Sequence, residues 1–132
     1  MRGWLLDTNV ISELRKPNCD ERVKAWAESR LPTSLYLSRV TIVEIRYGIE
    51  RLPSVDRSRK RLEAWLDNEL RPWFADRLLD VDEDVFVVRR RLVERGKAMR
   101  HTFPQPDQFI VATAVLHDLC VAEAPGNPQE GV

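Results

Sequence analysis

The stretch Leu5-Leu6-Asp7-Thr8-Asn9-Val10-Ile11-Ser12-Glu13 decides the fold. Two apolar residues run into an aspartate, small polar residues follow, and apolar positions return at near-helical spacing at Val10, Ile11 and Leu14. The pattern predicts a buried strand that delivers a carboxylate to its C-terminal end. The chain then passes directly into a helix, which Pro17 ends. In open α/β sheets that edge is where ligands bind.

Working outward, Asp20 caps a second helix carrying Val23, Trp26 and Ala27. Leu35-Tyr36-Leu37 suits a second strand. Thr41 to Ile49 then reads as a helix whose β-branched residues lower its own propensity, so packing must hold it. Thr41 and Glu44 have capping-box spacing, so capping and site chemistry compete for the Glu44 carboxylate. Leu62, Trp65, Leu66, Leu70 and Trp73 share one helical face, predicting an amphipathic helix with both tryptophans in the core. Near its start, Arg59-Lys60-Arg61 reads either as a solvated face or as a phosphate-facing patch.

Leu78-Leu79-Asp80-Val81 is the third expected strand. Asp82 to Asp84 open a long helix with Val85, Val88, Leu92 and Met99 on its apolar side, interleaved by Arg89-Arg90-Arg91. Phe103-Pro104-Gln105-Pro106 is a stiff connector that excludes helix before Asp107. Asp107 to Leu116 is dense in small and apolar residues and should form a largely buried helix. Cys120-Val121-Ala122 is a short fourth strand. The alternation predicts an α/β chain: a three-layer α/β/α sandwich around a short, mostly parallel sheet of four or five strands. A single domain is expected over 1–132, with a loose proline- and glycine-containing tail at 125–132.

Composition removes several classes. Lys+Arg and Asp+Glu are both 21, so the total charge announces no nucleic-acid binder, although local patches matter more than the sum. Cys19 and Cys120 form neither a disulfide framework nor a zinc spacing, and read as free thiols of a reducing compartment. No apolar run approaches the roughly 18 residues of a membrane span. The first strand begins within a few residues of Met1, which leaves no room for a secretory signal, so a cytoplasmic location is expected. Neither Gly-x-Gly-x-x-Gly nor Gly-Lys-Ser/Thr occurs, so nucleotide binding by those routes has no support.

Three carboxylates carry the functional reading. Right-handed crossovers return Asp7, Glu44 and Asp107 to the same edge of the sheet. Each alone also serves as an ordinary cap or dipole partner. Together they repel one another unless a cation shares the site. Oxygen-only donors suit Mg²⁺ or Mn²⁺ rather than zinc. The chemistry that follows is metal-assisted phosphodiester hydrolysis, with metal activating the attacking water and steadying the leaving oxygen. Thr8 and Asn9 stand where they can orient water or phosphate. Thr113 follows Asp107 by less than two helical turns, so it either reaches the same pocket edge or bonds back to its own helix.

Leu6 to Glu13, Val43-Glu44-Ile45-Arg46-Tyr47-Gly48 and Asp107 to Ala114 together resemble the successive signatures of PIN-domain ribonucleases. The similarity is to VapC-type toxins of bacterial toxin–antitoxin pairs, FitB-like members included, and covers nearly the whole chain. It implies a Mg²⁺- or Mn²⁺-dependent endoribonuclease cutting structured RNA such as tRNA or rRNA. It also implies a homodimer and a VapB-type antitoxin that blocks the acidic site and supplies any DNA contact. Asp7, Glu44 and Asp107 match the family's first three acidic positions. The fourth departs from the pattern: Ala122-Glu123-Ala124-Pro125-Gly126-Asn127-Pro128 stands where the family carries a Thr-Arg-Asn run followed by Asp-Phe. Glu123 either replaces the missing metal ligand or points to solvent. That departure motivates an alternative, a catalytically weak toxin-like module whose main role is to bind an antitoxin. A DNA nuclease is a third reading, since the same acidic logic serves DNA.

Overall fold

The computed structural model describes residues 2–98 and 107–123, with the side chains of Lys97, Ala98 and Asp107 outside the description. The chain opens with β1 (Gly3–Leu6), α1 (Thr8–Arg15) and α2 (Glu21–Glu28). After a short 3-10 turn come β2 (Leu35–Ser38) and α3 (Arg39–Glu50). α4 (Arg57–Trp65) continues through a π-helical segment, Leu66–Leu70, into α5 (Arg71–Trp73). β3 (Leu78–Leu79), α6 (Glu83–Ala98), α7 (Asp107–Leu116) and β4 (Leu119–Ala122) complete the order. The expected tail at 125–132, the connector before Asp107 and Met99 lie outside the described residues.

The four described strands form one parallel sheet in the order β3-β2-β1-β4, as the alternation of strands and helices requires. β1 is central because it is paired on both sides: Leu5 lies opposite Tyr36 of β2 and Val121 of β4. Its side chains alternate between two cores. Leu6 packs with Val10, Ile11, Leu35, Leu37 and Ile42 on the side of α1–α4, whereas Leu5 packs with Ile110, Ala114 and Leu119 under α7. A sheet apolar on both faces and covered on both is the three-layer sandwich. Gly3 is tied to the β1–β2 approach, since a Cβ there would collide with the Ser34 carbonyl oxygen and sit 3.1 Å from its carbon.

Local chemistry explains the helix starts. The Asp20 side chain accepts from Arg22 N at 2.8 Å, and the Arg22 guanidinium bonded to it holds its carboxyl below the usual range. Asp82 Oδ1 accepts from Val85 N at 3.0 Å at the start of α6. At α3 the cap is Ser38, buried, whose Oγ accepts from Val40 N at 3.0 Å. The Thr41–Glu44 capping box is therefore not formed. The helix begins two residues earlier than its apolar pattern suggests, which moves Glu44 into the second turn. Two other expectations change with burial. Trp73 is 56% exposed although Trp65 is half-buried, and α7 leaves Val115 and Leu116 exposed beyond its buried Ile110, Ala112, Thr113 and Ala114.

Candidate metal site at the carboxyl edge of the sheet

Asp7 follows the last residue of β1 and occupies the N-cap position of α1 with extended backbone, φ −69° and ψ 154°. Its N–H continues the ladder by donating to Ala122 O at 2.9 Å, and its carbonyl accepts from Val10 N at 3.0 Å. The carboxylate does not cap α1. It lies instead at the positive end of the helix, nine-tenths buried, where a negative charge is favoured. Asn9 Nδ2 donates to Asp7 Oδ2 at 3.4 Å.

Glu44 arrives from α3. Thr8 Oγ1 donates to Glu44 Oε1 at 3.2 Å and lies 3.3 Å from Thr41 Oγ1, which is fully buried. The residue next to Asp7 thus holds Glu44 by a charge-assisted hydrogen bond, and two threonines from different helices fix where that bond is made. Losing the capping box is what leaves Glu44 available for this contact. A cleft of about 500 Å³ opens beside Glu44, walled by Val40, Val43 and Val81 and bordered by the Arg39–Asp80 ion pair.

The remaining expected positions are distributed as follows. Asp107 opens α7, and its side chain lies outside the described residues. Thr113 is fully buried and its hydroxyl donates back to Phe109 O at 2.7 Å, the helix-bonded arrangement of the two considered. Glu123 is exposed and follows Ala122, which is in register with Leu6, so its backbone leaves β4 beside Asp7. Glu13, also within the opening stretch, accepts from Asp20 N at 3.0 Å and pairs with Lys16, a structural role.

Asp7 and Glu44 offer carboxylate oxygens, the donor type that Mg²⁺ and Mn²⁺ take. Among the described residues, no group of three His, Cys, Asp or Glu gathers where it could hold a metal ion. Sequence reasoning missed Thr41 as the partner of Thr8, and Arg39 and Asp80 as the border of the Glu44 cleft. Asp80 carried a signal, because Leu78-Leu79-Asp80 repeats the Leu5-Leu6-Asp7 pattern of a strand ending in an acid.

The family described as the PIN domain matches residues 4–123. This chain belongs to that family. Within it the chain is of the VapC/FitB toxin type. The VapC ribonuclease Y4jK of Sinorhizobium fredii is 36% identical over 126 residues, 96% of this chain and 89% of the relative. Toxin FitB of Neisseria gonorrhoeae is 37% identical over 118 residues, 89% and 84% of the two chains. A solved structure of FitAB bound to an IR36 DNA fragment superposes with a TM-score of 0.84 at 35% identity, covering 91% of this chain and 83% of its counterpart. The PIN fold therefore accounts for the parallel sheet flanked by helices.

Proposed function

We propose that this PIN-domain toxin is a Mg²⁺- or Mn²⁺-dependent endoribonuclease, held in check by a cognate antitoxin. The observation that carries the reading is the Asp7-Thr8-Glu44 connection, which ties a carboxylate of the β1 edge to one from α3. Asp7 and Glu44, with Asp107 from the start of α7, would hold the ion, and Glu123 stands in sequence where a fourth ligand would enter. The bound metal would supply an activated water and charge stabilisation at phosphorus. The chain's own groups would orient: Thr8 fixes Glu44, and Asn9 steadies the Asp7 carboxylate. Structured RNA is the proposed substrate, a homodimer the proposed assembly, and DNA contact is assigned to the antitoxin. Among the described residues no helix is long and apolar enough to cross a membrane.

A second reading keeps the antitoxin and drops the turnover, and the described residues support it more directly. An apolar cleft of about 470 Å³, whose lining includes neither Asp7 nor Glu44, is walled by Leu14, Pro17, Ala27, Trp73 and Phe74 among others. Arg30 and Lys24 stand on its border. The Arg30 guanidinium lies 5.0 Å and 5.1 Å from the Trp4 and Trp26 ring centroids, and its buried Nε has no hydrogen-bond partner among the described residues. Such a cleft suits an antitoxin segment with an apolar anchor and a carboxylate.

Cleavage of a folded RNA by purified wild type and Asp7→Asn, with Mg²⁺, Mn²⁺ or EDTA and a matched DNA alongside, separates the readings. Metal-dependent RNA cleavage lost in Asp7→Asn is the expected result. Cleavage surviving that substitution overturns the nuclease site, and an inert wild type that still binds its antitoxin establishes the second reading.

A further inference from the structure

We propose that Arg89 of α6 is a positioning residue for Asp107, which it sets by clamping the first turn of α7. The inference rests on the proposed metal site. Arg89 Nε donates to Gln108 Oε1 at 3.0 Å, and the same guanidinium lies 4.9 Å from the Phe109 ring centroid. One planar group therefore holds both residues that directly follow Asp107. Phe86, one helical turn before Arg89 on the same face of α6, meets Phe109 edge-to-face at 5.3 Å and 79°. Thr113 ties the other end of this turn by donating to the Phe109 carbonyl.

α6 is anchored in its turn. Val85, fully buried, fixes the start of that helix, and Asp82 caps it. A ligand at the first residue of a helix is set by the placement of that turn, because no preceding turn constrains it. Arg89 supplies the placement from a neighbouring helix. A lysine could satisfy Gln108 but could not at the same time lie flat on Phe109. Arg89 does not contact the metal; it acts through α7, as outer partners of metal ligands commonly do.

The test is Mn²⁺ affinity by calorimetry on the full chain, together with melting temperature in EDTA. The variants are Arg89→Met, Arg89→Lys, Gln108→Leu and Asp107→Asn, with Val23→Ala as a remote destabilised control. Arg89→Met is expected to weaken Mn²⁺ binding roughly 10- to 100-fold. Arg89→Lys should resemble it, and Val23→Ala should lower the melting temperature without moving the affinity. Gln108→Leu should also weaken binding, which keeps the test open if an Arg89 variant does not fold. Arg89→Met, Arg89→Lys and Gln108→Leu binding within twofold of wild type, while Asp107→Asn does not bind, would overturn the positioning role and leave the metal site standing. No saturable Mn²⁺ binding by wild type would overturn the metal site itself, and this inference with it.

Discussion

Thr8 is the side chain that joins Glu44 to the segment carrying Asp7. Its hydroxyl lies between Glu44 Oε1 at 3.2 Å and Thr41 Oγ1 at 3.3 Å, and its backbone follows Asp7 directly. A hydrogen bond to a charged group contributes about 1.5–3 kcal/mol. Thr8→Val keeps the shape and removes the donor that Glu44 Oε1 accepts from. Under the nuclease reading, RNA cleavage at saturating Mn²⁺ should fall by roughly 10- to 100-fold. Thr8→Ser, which keeps the hydroxyl, should retain most of the activity. Single-turnover rates of the two variants against wild type check this, and equal rates for Val and Thr would show that the bond positions nothing. The sequence disclosed Thr8 through its place after a strand-terminal aspartate. It did not disclose Thr41, because a buried threonine inside a β-branched helix looks the same whether or not its hydroxyl meets another element.

Elements were legible where periodicity and punctuation agreed. Leu5-Leu6 before Asp7, Asp20 before Val23 and Pro17 after Leu14 each mark a boundary that the structure places within a residue or two. The α4–α5 run shows where periodicity alone fails. Its apolar pattern fits an uninterrupted helix, yet residues Leu66–Leu70 take a π-helical turn in which Arg71 N bonds Leu66 O. Pro72 supplies the reason: its ring would press on the carbonyl four residues earlier and it has no N–H to give, a conflict that a wider turn relieves. The extra residue in that turn also rotates Trp73 toward solvent while Leu66, Leu70 and Phe74 stay buried. Deleting the exposed Asn68 should enforce an α-turn against Pro72 and destabilise the fold by about 3 kcal/mol. Adding Pro72→Ala to the deletion should restore most of that loss. Urea unfolding of the single and double variants measures both, and an equal cost with and without Pro72 would remove proline as the cause.

At the scale of the molecule, the proposed ligands come from β1, α3 and α7, elements whose residues Asp7, Glu44 and Asp107 are far apart in the chain. The four described strands pair in parallel, and parallel pairing sends every strand's C-terminal end to one edge. That much was readable from the alternation of strands and helices. What could not be read is which helix turn each acid occupies: the Ser38 cap is local but lies ahead of the apolar pattern of α3, and the Arg39–Asp80 pair joins distant parts of the chain. A cation shared by three such segments exists as a site only in the folded chain, so its binding free energy appears as folding free energy. A site filled at about 100 times its dissociation constant adds about 2.7 kcal/mol. Wild type should therefore melt several degrees higher in excess Mn²⁺ than in EDTA. Asp7→Asn, which removes the ligand of the central strand, should show no such rise whatever its own melting temperature in EDTA. Calorimetric scans of both proteins in both conditions decide the matter independently of any RNA. An equal Mn²⁺ shift in wild type and variant would place the ion elsewhere on the molecule.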